Sequence, residues 1–262
     1  MSATGIPADL REALLRAAQS RRLLVASDYD GCVSPLVSRP EDAVPDPASV
    51  AAIEAAAHLP ATAAAVISGR ALSVLAKLSG LSEPVTLVGS HGSEFESGFA
   101  AEITDEHRAL LARIIDELRS IAVDYPGAMV ETKPASAVIH VRNATPADAE
   151  TALRRTRSGP AAWSGVEVTE GKAVIELAVI ETSKGHALDV LRDRFDADVV
   201  IYLGDDVTDE KAFAHLRSDG DVSIKVGAGD TAAAYRIEDT DDVATVLEFV
   251  TGRRREWLSD KG

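Results

Sequence analysis

The chain has 262 residues, 46% hydrophobic and 26% charged, with 42 acidic against 27 basic side chains and a formal net charge of −15. That length can bury the core of one large domain or two small ones, and the composition is that of a soluble globular protein. The acidic balance argues against nucleic acid, which needs clustered Lys and Arg, and no segment is long and apolar enough to span a membrane.

An anionic substrate would therefore need a locally positive pocket. The single cysteine, Cys32, rules out an intramolecular disulfide and fits a reducing cytoplasm. The opening "MSATGIPADLREALLRAAQS" lacks the apolar stretch of a signal peptide. It has the pattern of an amphipathic helix, with Ile6, Leu10, Leu14 and Ala17 on one face. A cytoplasmic monomer with neither nucleic acid nor membrane as partner is expected.

Next come a strand, "RLLVAS", and a helix, "PASVAAIEAAAHL". "TAAAVIS" is a strand, "ALSVLAKLSG" a helix ending at Gly80, and "VTLVGS" a strand. The middle differs. "DEHRALLARIIDELRSIAVD" is a long amphipathic helix, followed by strands "AMVETK" and "SAVIHVR". A second helix, "PADAETALRRTR", precedes "VEVTE" and "KAVIELAV". Alternating polar residues in these strands suggest an antiparallel sheet with one open face. Downstream, "KGHALDVLRDRF" is a helix, "DVVIYLG" a strand, "DEKAFAHLRS" a helix, "VSIKVG" a strand and "DDVATVLEFVTG" a closing helix. The run Arg253-Arg254-Arg255 has the look of a solvated terminal segment. Val/Ile/Leu strands alternating with helices predict a parallel sheet covered on both faces. An α+β insert is expected at residues 100–180, within an α/β core made from residues 1–99 and 181–262.

In an open parallel sheet, ligands bind beyond the carboxyl ends of the strands. The first strand ends in Asp28 and Asp30, the second in Ser68, Gly69 and Arg70, the third in Ser90, His91 and Glu94. A later strand ends in Asp205, Asp206 and Asp209, and Lys184 stands in the first turn of a helix. Two carboxylates as close as Asp28 and Asp30 repel, so either a cation sits between them or one holds a proton. Hard oxygen ligands such as Asp28 and Asp205 suit Mg²⁺. Lys184 and the backbone N–H groups near Ser68 suit a phosphate. One carboxylate could then attack phosphorus while the other handles a proton.

The order "DYDGCVSPL", "ISGR", Lys184 and "GDDVTDE" resembles the four motifs of the haloacid dehalogenase-like phosphatase superfamily, from about Leu23 to Phe249. The phrases "GSHGSE", "ETKPASAVIHVR" and "GKAVIELAVIETSKG" are similar to its trehalose-phosphatase branch. The resemblance implies a Rossmann-like parallel-sheet core of haloacid dehalogenase type with the insert as an α+β cap domain. It implies Mg²⁺-dependent hydrolysis of trehalose 6-phosphate, the last step of trehalose biosynthesis, through an aspartyl-phosphate. Asp28 would be the nucleophile and Asp30 the acid/base; Asp28, Asp205 and the Asp30 carbonyl would hold the metal. Ser68, Arg70 and Lys184 would serve the phosphoryl group, with Gly69, His91, Asp206 and Asp209 in support. Glu131, Lys133, Ser136 and Glu176, with His140 nearby, match positions that grip the sugar.

Two departures stand out. Cys32 replaces the usual threonine, and "IELAVIETSKG" lacks the Arg and Pro that more often follow the first glutamate. Another sugar phosphate, such as a sucrose, glucosylglycerate or hexose phosphate, remains an alternative substrate. A non-catalytic sensor is disfavoured by the intact Asp28/Asp30 pair, and a receiver domain would lack the insert.

Overall fold

The computed structural model describes residues 5–99, 103–171, 173–180 and 183–261. The chain divides into two compact units, Met1–Gly98 with Ser183–Gly262, and Phe99–Thr182. Helix α1, Ala8–Ala18, buries Leu10, Ala13, Leu14 and Ala17, as its apolar spacing requires. Strand β1, Leu23–Asp28, is buried along its whole length. Asp46 caps α2, Pro47–Ala57, by accepting the Ser49 N–H at 2.7 Å. Pro47 sits in the first turn, where a missing N–H costs nothing. Then come β2, Thr62–Ile67, and α3, Leu72–Ser79, which Gly80 ends in the left-handed conformation at φ 68°. β3, Thr86–Val88, is followed by the short paired strands β4, Glu94–Phe95, and β5, Gly98–Phe99.

In the second unit, α4, Asp105–Val123, starts at the cap Thr104. Strands β6, Met129–Thr132, and β7, Ser136–His140, lead to α5, Pro146–Ser158, and to β8, Glu167–Gly171, and β9, Val174–Ala178. The four strands form an antiparallel sheet in the order β6-β7-β9-β8. Ala137, Ile139, Ile175 and Leu177 pack against Leu111, Ile114, Leu118 and Ile121 of α4 and Ala152 of α5. The alternation of a strand sends the intervening residues to the other face. There the register sets Glu131, Val138, Glu176 and Thr169 in one row.

Returning to the first unit, the chain forms α6, Lys184–Phe195, β10, Val199–Gly204, α7, Val207–Phe213, β11, Val222–Val226, β12, Tyr235–Ile237, and α8, Thr240–Ser259. The six-stranded sheet runs β12-β11-β10-β1-β2-β3 and is parallel throughout. Leu23 and Val25 of β1 join one apolar layer, Leu24 and Ala26 the other, so the strand is apolar on both faces because both faces are covered. The strand order turns outward in opposite directions from β1 and β10, which makes their carboxyl ends the switch point where such sheets bind ligands. The α/β class with its α+β insertion is the one the sequence implied. No described helix is long and apolar enough to cross a membrane.

Two expectations are corrected. The closing helix does not stop at Gly252 but continues to Ser259, and the arginine run belongs to it. Arg253 and Arg255 are exposed, but Arg254 is fully buried. Its guanidinium donates to the carbonyls of Ala18 (3.1 Å), Arg21 (3.2 Å), Ala61 (2.8 Å) and Ser20, and to Thr62 Oγ1 (3.0 Å). Five N–H groups in a fixed fork suit carbonyls left over where α1 ends and β2 begins.

Candidate active site

The end of β1 delivers Asp28 into a closed set of charges. Its Oδ1 accepts the Tyr29 N–H at 2.7 Å, and its Oδ2 lies 2.8 Å from Lys184 Nζ. Lys184 stands at the start of α6, where Ser183 caps the helix, and also donates to Asp209 Oδ1 at 2.9 Å. Asp209 Oδ1 accepts the Tyr202 hydroxyl at 2.6 Å, and its Oδ2 accepts the N–H groups of Asp205 (3.0 Å) and Asp206 (3.1 Å). Asp206 caps α7 by accepting from Thr208 and Asp209. Lys225 donates to the backbone carbonyl of Asp205. Asp28, Lys184 and Asp209 are all buried.

One carboxylate oxygen from each of Asp28, Asp205 and Asp209 lies within 4.8 Å of the others. Burial pushes Asp28 well up, against the pull of Lys184, and the carboxylates of Asp209 and Asp205 push it further. Asp205 is pushed up to about 7 by burial and by Asp206 and Asp209. For Lys184 burial acts downward, but Asp209 and Asp28 outweigh it and hold the ammonium well above its ordinary value. Carboxylates crowded to this degree suit a divalent cation bound by hard oxygen donors. Asp28 and Asp205 fit it as ligands, whereas both oxygens of Asp209 already serve four donors, which makes that residue a brace. Gly31 completes the cradle. At φ 81°, its missing Cβ would lie 2.2 Å from Asp205 Oδ2. Nothing in "DYDGCVSPL" foretells this contact, because Gly31 and Asp205 are far apart in the chain.

β2 lies beside β1 with Ile67 opposite Asp28, so Ser68 emerges next to the aspartate pair. Ser68 is buried, and its hydroxyl accepts the Arg70 N–H at 3.2 Å. Gly69 is small because the His91 ring lies against it; an added Cβ would be 2.4 Å from Cε1. Ser90 and His91 both hold left-handed backbones, at φ 49° and 53°, and the His91 N–H donates to the Ser68 carbonyl at 2.9 Å. Glu94 fixes this turn by accepting the Leu72 N–H at 2.8 Å and the Ser90 hydroxyl at 3.1 Å. The Arg70 guanidinium grips Asp30, with Nε to Oδ2 at 2.8 Å and Nη2 to Oδ1 at 2.6 Å. Cys32 is fully buried, and burial followed by the Asp28 charge pushes its thiol well up, which opposes thiolate chemistry.

The sheet face away from α4 and α5 was expected to be open, but Ser136, Val138 and Glu176 on it are buried. There Lys133 Nζ lies 3.0 and 2.9 Å from the two Glu176 carboxylate oxygens. The Ser136 hydroxyl donates to Glu176 Oε1 at 2.6 Å, and His140 Nε2 lies 2.9 Å from Glu131 Oε2. The bond to His140 is the main effect holding Glu131 below the usual range. Lys172, and Glu181 and Thr182 of the "ETSKG" stretch, lie outside the described residues. Tyr202 and Lys225 were missed by sequence reasoning. Their signal was a polar group inside an otherwise apolar strand, in "VVIYLG" and "VSIKVG".

An aspartate pair leaving the first strand of a doubly wound sheet, faced across the switch point by a second acidic loop and a buried lysine, is the layout of the haloacid dehalogenase-like phosphatases. The solved C-terminal domain of C. albicans trehalose-6-phosphate phosphatase shares the fold with a TM-score of 0.79, at 24% identity over 96% of this chain and 99% of that one. The trehalose-phosphatase family model matches residues 26–241, and the chain belongs to that family. It is 29% identical to the trehalose-6-phosphate phosphatase of Escherichia coli, over 86% of this chain and 85% of that protein. It is also 34% identical to the bifunctional trehalose-6-phosphate synthase/phosphatase of Thermoproteus tenax, over 88% of this chain. The matched region is 32% of the T. tenax protein, so the chain spans about a third of that relative's length.

Proposed function

We propose that the protein hydrolyses trehalose 6-phosphate to trehalose and inorganic phosphate, the last step of trehalose biosynthesis. The observation that carries the chemistry is Lys184, buried and paired to both Asp28 and Asp209 beside Asp205. The names of the relatives support the sugar.

Asp28 is the nucleophile. Its carboxylate oxygen bonds to phosphorus as the bond from phosphorus to the sugar oxygen breaks, and Asp30 gives its proton to that oxygen. Asp30, now a carboxylate, takes a proton from water as the water oxygen bonds to phosphorus. The bond from phosphorus to Asp28 breaks, which returns Asp28 to a carboxylate and releases phosphate. Lys184 and Ser68 hold the phosphoryl oxygens where negative charge gathers. Asp28, Asp205 and the Asp30 carbonyl would hold Mg²⁺, which when bound supplies the positive charge that lets an anion approach an anionic phosphate.

Glu131, Lys133, Ser136 and Glu176 grip the sugar. They form a preorganised row of donors and acceptors, and a sugar hydroxyl can do both. Acid quenching during turnover of trehalose 6-phosphate tests the scheme. Phosphate bound covalently to Asp28, with trehalose released in step, is expected. Turnover with the phosphoryl group on no residue, or on another one, would overturn it.

A further inference from the structure

Asp30 has 30% of its side chain accessible, whereas Asp28 and Lys184 are buried. A carboxylate so placed would rotate freely were it not for Arg70. The Arg70 fork meets both Asp30 oxygens, and a third N–H, from Nη1, donates to the Pro40 carbonyl at 2.8 Å. Its guanidinium carbon lies 5.7 Å from the centre of the Tyr29 ring. Tyr29 is itself fully buried, with its hydroxyl on the Ala43 carbonyl at 2.8 Å. Arg70 is thus anchored on the 40–43 turn and on the residue before Asp30. It presents to Asp30 a planar fork that fixes both the position and the rotation of the carboxyl group.

We propose that Arg70 is the positioning residue of the acid/base Asp30 and not a ligand of the phosphoryl group. The proposal rests on the hydrolytic reading above. Proton transfer needs donor and acceptor atoms within hydrogen-bond reach, and a carboxyl group displaced by about 1 Å loses about a hundredfold in rate. Arg70 would therefore matter where a proton moves, at the sugar oxygen and at the attacking water. It would matter little where phosphorus is attacked and the leaving group departs without a proton.

The test is rapid-quench kinetics of the wild type, Arg70→Ala and Arg70→Lys on trehalose 6-phosphate and on p-nitrophenyl phosphate, whose phenolate leaves unprotonated. With Arg70→Ala, kcat on the sugar phosphate should fall about ten- to a hundredfold, with KM held within about twofold. The first-turnover burst of nitrophenol should keep its wild-type rate, while the steady state that follows slows because water attack needs Asp30. Inhibition by inorganic phosphate should be unchanged. Guanidinium ion at millimolar concentration should restore part of the lost turnover, which a merely structural role would not allow. Arg70→Lys, which keeps the charge without the fork, should fall between the two and decides the matter if Arg70→Ala does not fold.

A burst slowed as much as sugar turnover, or weaker phosphate inhibition, would place Arg70 on the phosphoryl group and overturn the proposal. So would full turnover in both variants while the wild type is active. A wild type that releases phosphate from no sugar phosphate would sink the hydrolytic reading first, and this proposal with it.

Discussion

Replacing Gly31 by alanine perturbs the site through a single carbon. The added Cβ would stand 2.2 Å from Asp205 Oδ2 and 2.3 Å from its Cγ. Contacts below 3.0 Å are essentially never seen for a real Cβ, so the carboxylate must retreat. The required shift is about 1 Å, and misplacement of that size costs about a hundredfold in rate. The backbone is strained as well, because φ is 81° there, and a left-handed conformation costs a residue with a Cβ about 1–2 kcal/mol. The predicted variant is folded, melts a few degrees lower and needs far more Mg²⁺ for half-maximal phosphate release. The assay is a metal titration of turnover beside a thermal melt. A Gly31→Ala protein with the wild-type metal response and full kcat would refute the placement of Asp205 as a metal ligand.

The other predictions concern stability and the second unit. Arg254→Met should destabilise the fold by about 3 kcal/mol in urea, because carbonyls that shared a buried charged donor lose it. Turnover of the folded fraction should be unaffected, and an unchanged unfolding midpoint would show that water replaces the guanidinium. Glu176→Ala should lower kcat/KM on trehalose 6-phosphate about ten- to a hundredfold while hardly touching p-nitrophenyl phosphate, since a lost charge-assisted contact remote from phosphorus costs about 1.5–3 kcal/mol. Equal losses on both substrates would place Glu176 in folding or chemistry instead. Glu131 is held below its ordinary 4.5, chiefly by His140. Its pair is half exposed, so the contribution is under about 1 kcal/mol. It is fully present above pH 4.5 and lost as the pH falls through the lowered folded value. Urea midpoints of the wild type and His140→Ala should therefore converge as the pH falls through the lowered value of Glu131, and a gap that persists below it would contradict the pairing.

Local chemistry made much of this molecule legible. The apolar runs that became β1, β2 and β10 are buried on both faces, and each ends in the polar residues that the sheet then gathers on one rim. Gly80 marked a helix boundary by its conformational freedom. Glu131 and Glu176 fall on the same face of their strands, an alternation that could be read from the strands themselves, while Lys133 reaches Glu176 from the turn between β6 and β7. Contacts between distant parts of the chain were not legible. Arg254 has the sequence context of a surface charge, and nothing near it tells that the ends of α1 and the start of β2 supply its acceptors. Arg70 and Asp30 are 40 residues apart, and "ISGR" does not say which way the guanidinium turns. β12 has only three residues, too few for a periodicity to show. Asp209 stood in sequence as one of three aspartates after a strand, and only its four donors reveal it as the brace of the charge cluster.

Phosphate release from equal concentrations of trehalose 6-phosphate, sucrose 6-phosphate and glucose 6-phosphate, by the wild type and Asp28→Asn with Mg²⁺ and in excess chelator, bears on the central claim most directly. The account predicts turnover by the wild type with Mg²⁺, with trehalose 6-phosphate far ahead of the other two, and none from Asp28→Asn or in chelator. Wild-type turnover that ignores the chelator, turnover that survives Asp28→Asn, or a preference for another sugar phosphate would contradict it.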